Sequence, residues 1–245
     1  MTKRLLAVAG WLAAGHAVLA GLYWLLLAIP ESNAAMLAAS ALTAVAAVLV
    51  FGWVEAVGLL AWQVDPHPRE LPRRAVGKAP GVWLGAALFV VAWFLLAHAD
   101  ALWNDHRGEI DAWLMAQFGW ANTGSLHTAF RWLLTFVRFL GLSVSVALAS
   151  AFAAAGFAGV GRTRWFRGAL SVPRLLKLAG ILIVFFWLPL QAVNWRPTWL
   201  APNWQETTFV ALKLGGLYLL ANFGWALILG VGTDYRTGTR SITQP

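Results

Sequence analysis

Cysteine is absent from the 245 residues, which excludes disulfides, thiolate metal sites and a cysteine nucleophile. Charge is scarce as well: only 11% of residues are Asp, Glu, Lys or Arg, and ten of them are acidic. A soluble domain carries about 25% charged residues, so little here is suited to coating a water-exposed surface. The motifs of intramembrane or nucleotide chemistry are missing too. No HExxH zinc helix, GxSxG elbow or Gly-rich phosphate loop with lysine occurs, and the five histidines are scattered. Neither a catalytic residue set, a metal site nor a cofactor is expected on this basis.

Apolar residues take the place of charge. They make up 60% of the chain, and the mean hydropathy is +0.68. That surplus exceeds what a water-soluble core of this size can hide. Six stretches are long enough to cross a hydrocarbon core, which takes about 20 residues: Leu5–Ile29, Asn33–Trp62, Pro80–Trp103, His127–Val160, Pro173–Asn194 and Thr207–Val231. No long polar stretch separates them. The expected fold is one all-α membrane domain over residues 1–245, a bundle of about six transmembrane helices. The first stretch follows Lys3 and Arg4, as in a signal peptide. It is nevertheless longer than an apolar signal core of about 7–15 residues, so an uncleaved span is expected.

The net charge of +8 and the pI near 10.8 would suggest nucleic acid for a soluble domain, but here the cations sit in short loops beside the spans. Lys3, Arg4, Arg69, Arg73, Arg74, Lys78, Arg162, Arg164, Arg167, Arg174, Lys177, Arg236 and Arg240 all fall at one end of the bundle. The opposite loops hold Arg107, Arg196 and most of the acids. Positive-inside asymmetry predicts both termini in the cytoplasm of a bacterial inner membrane, with no nucleic-acid partner. Trp24, Trp62, Trp83, Trp103, Trp195, Trp199 and Trp204 lie near span ends and read as an aromatic belt, the last three alternatively as a platform for a sugar or lipid headgroup.

In the outer loop, Ile110–Ala121 sets Ile110, Trp113, Leu114, Gln117, Phe118 and Ala121 at helical spacing. This predicts a short helix on the outer leaflet or over the bundle mouth. Trp195–Trp204, with Pro197 and Pro202, predicts a turn-rich loop. Arg69, Arg74 and Pro80 recur as Arg162, Arg167 and Pro173 at a constant offset, the pattern of two parallel helix–basic elbow–helix units.

Polar groups inside spans default to function. The long second and fourth stretches leave room for Glu55 at the cytoplasmic edge and for Arg131 and Arg138 at or beyond the outer edge, with Lys213 level with them. Three outer cations near Glu206 suggest a site for an anionic group such as a lipid phosphate, pairing with Glu206, Asp100 or Asp111, or snorkelling. At mid-depth stand His16, Asn222, Thr43 and Ser145, and a neutral His16 is expected to bond across helices to Asn222. Haem fails for want of a second histidine at that depth, since His98 and His127 lie about 15 Å higher. Pro189 interrupts the fifth span beside Gln191 and Asn194. Dense small residues in Ala149–Gly161 and at Gly215 and Gly216 predict close packing of the fourth and sixth spans.

The expectation is thus a non-catalytic membrane protein that binds or transports an anionic or amphipathic small molecule. The candidate ligand residues are Arg131, Arg138, Lys213, Glu206, His16, Asn222 and Gln191. The alternatives are a subunit of a membrane complex, partnered by other membrane subunits, and a lipid-modifying enzyme at the outer interface. Membrane lipids are partners in every case.

Overall fold

The computed structural model describes residues 2–30, 32–63, 70–120, 123–161, 164–193, 201, 204, 206–207 and 213–233. The expected loop residues Trp195, Arg196, Pro197, Trp199 and Pro202, and the basic residues Arg69, Arg162, Arg236 and Arg240, lie outside that set. Among the described residues the chain is all-helical, with no strand.

Six helices are long and apolar enough to cross a membrane. They are α1 (Thr2–Ala28), α2 (Ala34–Gln63), α4 (Ala79–Asp105), α6 (Gly124–Val160), the composite of α8 (Val172–Leu182), a π-helical turn (Ile183–Trp187) and α9 (Leu188–Val193), and α10 (Gly215–Thr233). Short helices lie between them, among them α3 (Leu71–Val76), α5 (Arg107–Phe118) and α7 (Arg164–Ala169). The most apolar windows of α2 and α4 are only 6% and 11% buried inside the bundle. Water cannot solvate such a perimeter, which exposes Trp24, Leu42, Phe94 and Trp132 among others. A bilayer can, and the helices satisfy their own backbone groups as that solvent demands. The chain is therefore a multi-pass membrane protein.

The interior forms where helices meet. Leu12 of α1, Val54 and Leu59 of α2, and Ala226 and Leu229 of α10 share one core cluster. Helix α6 runs along α4, and the contact requires glycine: a Cβ at Gly85 would stand 2.7 Å from the Ser145 carbonyl. The 37-residue length of α6 is absorbed by a bend at Ala155 and Gly156, where Gly156 takes φ of 59°. Small residues bring α6 and α10 together as expected, but not the glycines named for it. Gly215 and Gly216 meet open space, whereas Gly232 packs on Val146 and Ser150.

Two local features follow from sequence. Pro189 has no N–H to return to the carbonyl one turn back, and the π-helical turn Ile183–Trp187 sits over that break. The offset seen in the basic loops reappears in the elements. Leu71 corresponds to Arg164, Val76 to Ala169 and Ala79 to Val172, each 93 positions apart. Each elbow helix is tied to the long helix before it: the Trp53 indole donates to the Pro72 carbonyl at 2.9 Å, and the Ser143 hydroxyl to the Ala169 carbonyl at 2.6 Å.

The belt residues divide. Trp24 faces outward, but Trp83 donates to the Val48 carbonyl, Trp62 packs on Gly230 and Trp103 donates to His127. These three are structural fasteners between helices as well as rings near span ends.

Candidate functional site

His16 stands fourteen residues from the start of α1 and twelve from its end, about 20 Å from either by helical rise. Its Nδ1 lies 2.6 Å from Asn222 Oδ1 on α10, the cross-helix bond expected of it, and its Nε2 lies 2.9 Å from Glu55 Oε1 on α2. The other Glu55 oxygen accepts the Trp225 indole N–H at 2.8 Å. Tyr218 donates its hydroxyl to the Ala13 carbonyl, closing α10 onto α1 one turn above Asn222.

The expectation that set Glu55 at the membrane edge, a level apart from His16, is corrected by these contacts. The reason lies in the register of the first hairpin. Gly15 packs against Val54, so the end of α1 at Ala28 is level with about residue 41 of α2 by equal helical rise. Residues 34–40 of α2 therefore project beyond the Ala28 end of α1, and Glu55 is drawn inward. It is 2% exposed.

Donor counting then sets the protonation of the cluster. The Asn222 amide nitrogen donates to the Tyr218 carbonyl at 2.8 Å, which leaves the amide oxygen facing His16. An oxygen there only accepts, so His16 Nδ1 carries a hydrogen. One proton remains to be placed between His16 Nε2 and Glu55 Oε1. The pair is either imidazolium with carboxylate or neutral imidazole with carboxylic acid, and its net charge is zero in both. That arrangement lets ionisable groups reside inside a bundle that cannot hydrate a lone charge.

Glu55 also lines a cleft of about 200 Å³ between α2, α4, α6 and α10. The walls are apolar, with Phe51, Phe89, Leu142 and Val146 prominent. Almost none of the cleft surface is polar; besides Glu55, the residues with polar side chains around it are Trp225 and Ser145. The latter is buried and has no partner among the described residues. An unsatisfied hydroxyl and a buried carboxyl just behind the walls of an apolar cleft suit a mostly apolar molecule with at most one hydrogen-bonding group.

The outer candidates are arranged differently. Arg131 is exposed. The Arg138 guanidinium carbon lies 4.9 Å from the Trp93 ring centroid, a cation–π contact, and its Nε is buried without a hydrogen-bond partner. Lys213 donates to the Val193 carbonyl at 2.9 Å, at the end of α9. Glu206 and Gln191 are exposed. Among the described residues no hydrogen bond or ion pair joins Arg131, Arg138 and Glu206 to one another, and Asp100 keeps a buried oxygen unpartnered. Arg138 is thus half-buried on an indole and is not paired with an acid among the described residues.

The outer loop helix forms as α5, three residues earlier than the apolar stripe suggests, and Leu114 is the buried member of that stripe. Its anchor is polar. Trp103 donates to His127 Nδ1 at 2.9 Å, and His127 Nε2 lies 2.9 Å from Asp111 Oδ1. The indole can only donate, so His127 is a neutral imidazole whose Nε2–H donates to Asp111. A hydrogen bond from Thr123, then that from His127, holds the Asp111 carboxyl below the usual carboxylate range.

Sequence reasoning missed Trp225, placed Ser145 at mid-depth without giving it a role, and placed Glu55 at the wrong level. Glu55 was nonetheless visible as the one acid inside a span, which was the available signal. Among the described residues no group of three or more His, Asp and Glu could hold a metal ion. The chain matches no protein-family model, no curated protein and no solved structure.

Proposed function

We propose that this membrane protein binds and transports an amphipathic small molecule, held in the cleft between α2, α4, α6 and α10 with Glu55 as its polar contact. The observation that carries this reading is Glu55, 2% exposed, set behind the wall of an apolar cleft between helices and hydrogen-bonded to His16. Placing an ionisable pair inside a span is costly, and such groups mark ligand or proton paths. A molecule that donates a hydrogen bond to Glu55 competes with His16 for the carboxyl, so its binding is linked to where the shared proton rests. Ser145 supplies the second polar contact.

The reading departs from the outer cations as the ligand site, because their described partners are an indole face and a backbone carbonyl. The role is non-catalytic. The bacterial inner membrane, with both chain ends in the cytoplasm, is the setting that the basic loops support. Helix α5, with Trp113 and Phe118 exposed, is read as seated on the outer leaflet.

Native mass spectrometry of the full chain, extracted in mild detergent, tests the proposal. A small-molecule adduct is expected on the wild type and is expected to be lost from Ala86→Phe, which fills the cleft from its α4 wall. An adduct of equal occupancy in Ala86→Phe, or none on the wild type, overturns it.

A further inference from the structure

The apolar cleft continues along the seam of α4 and α6, toward the end of the bundle that carries α5. The two helices run antiparallel, since Gly85 packs on Ser145 and Trp93, farther along α4, meets Arg138. Phe89, Val90 and Leu142 belong to the cleft wall. Trp93 follows Phe89 by four residues and Arg138 precedes Leu142 by four. Each therefore stands one turn beyond the wall, about 6 Å, on the same face of its helix. Ring contacts make the path continuous. The Phe89 and Trp93 centroids lie 5.8 Å apart, and the Arg138 guanidinium rests 4.9 Å from the Trp93 centroid. Trp93 is fourteen residues from the start of α4 and twelve from its end, so the cation is level with the middle of that helix and not with its outer edge.

Arg138 brings a fixed positive charge to this level. Among the described residues no hydrogen bond or ion pair reaches its guanidinium, and both helices that flank it are described throughout this stretch. The indole face attracts the cation but takes up none of its in-plane N–H donors. A charge within a span is costly until it is paired. The His16–Glu55 pair behind the cleft wall has no net charge, so it does not repel an anion from the neighbouring turn.

We infer that the molecule held in the cleft is a single-chain amphipathic acid, its hydrocarbon in the cleft and its carboxylate on Arg138. The inference rests on the cleft as the ligand site and adds the class of ligand. The planar guanidinium fork meets both carboxylate oxygens at its edge while Trp93 covers one face. Any hydrogen-bond donor carried on the chain meets Glu55, and the acid itself lies a turn beyond the cleft. A phospholipid is disfavoured by depth, because its phosphate stands about 15 Å from the bilayer centre. Arg131, two turns farther out and exposed, takes no part.

The test is native mass spectrometry of the full chain titrated with decanoate, with decanol and with phosphatidylglycerol. The wild type is expected to retain decanoate over decanol by roughly ten- to hundredfold, the value of a charge-assisted hydrogen bond. Arg138→Gln is expected to lose that preference and still take up decanol. Arg138→Lys keeps part of it, and Arg131→Gln keeps all of it. Phosphatidylglycerol retention is expected to be the same in the wild type and Arg138→Gln. Equal retention of decanoate and decanol by the wild type, a comparison that needs no variant, overturns the inference. So does a preference that survives Arg138→Gln, one lost equally in Arg131→Gln, or a dependence on Arg138 shown by phosphatidylglycerol alone. Ala86→Phe, which fills the cleft, is expected to lose both single-chain ligands. Loss of both there, with no acid preference in the wild type, leaves the cleft reading standing and removes only the assignment of Arg138.

Discussion

Replacing Glu55 by glutamine and by leucine separates hydrogen bonding from charge in the His16 cluster. Glutamine copies the neutral form of the pair. Its amide oxygen accepts the Trp225 N–H, and its amide nitrogen donates to His16 Nε2 while His16 Nδ1 continues to donate to Asn222. Every hydrogen bond survives, and Glu55→Gln should lie within about 0.5 kcal/mol of the wild type. Leucine removes both partners of two buried donor or acceptor atoms, Trp225 Nε1 and His16 Nε2. Cross-helix hydrogen bonds in membranes average about 0.6 kcal/mol, and orphaned buried groups in soluble proteins cost about 1–3 kcal/mol. Glu55→Leu should therefore lose about 1–3 kcal/mol. Reversible unfolding in mixed micelles at neutral pH measures both. If glutamine proves as damaging as leucine, the pair is held by ionic attraction and the donor counting gives the wrong picture of what stabilises it.

Further outcomes follow from packing, from pH and from topology. Gly85→Ala should destabilise by about 1–3 kcal/mol, because the new Cβ meets the Ser145 carbonyl. Gly21→Ala, which meets nothing within 4 Å, should be silent in the same unfolding assay. The depressed Asp111 carboxyl contributes to α5 docking above its usual value of 3.8 and loses that contribution as pH falls through its lower folded value. Hydrogen exchange in α5 should accordingly rise only at pH below about 4, and Asp111→Asn should remove that step. Cysteine at Asp105 should react with an impermeant maleimide in intact cells and cysteine at Gly77 should not, against a background free of native cysteine. The reverse pattern would invert the proposed orientation.

The architecture was largely legible because the bilayer simplifies it. A span needs a run of apolar residues of fixed length, and six such runs became six membrane-length helices. The elbow helices were visible only as a recurrence of arginine and proline, and their matching bounds give that recurrence a structural counterpart. Pro189 announced its break, though not that a π-helical turn would accommodate it. The candidate site was only half legible. His16 and Asn222 could be matched because both are polar residues in the middle of spans. Glu55 could not be placed, since its depth was read by starting the span at the first residue of the apolar run, whereas packing of the Val54 side chain on Gly15 sets the register. Trp225 carries no signal of its own in a chain with 16 tryptophans, and Ser145 was visible only as a polar residue at mid-depth; the convergence of four helices brings both to the cleft. The outer cations were legible only as a shared depth, which says nothing about which way a side chain turns around its helix.

The most direct test of the cleft is labelling with an apolar carbodiimide, which enters hydrocarbon and reacts with a carboxyl that carries a proton. In membranes at neutral pH, mass mapping should find Glu55 modified by dicyclohexylcarbodiimide, spared by a water-soluble carbodiimide, and protected in Ala86→Phe. An unmodified Glu55, or one labelled equally by the water-soluble reagent, would show that apolar molecules do not reach this carboxyl through the cleft and would contradict the proposed site.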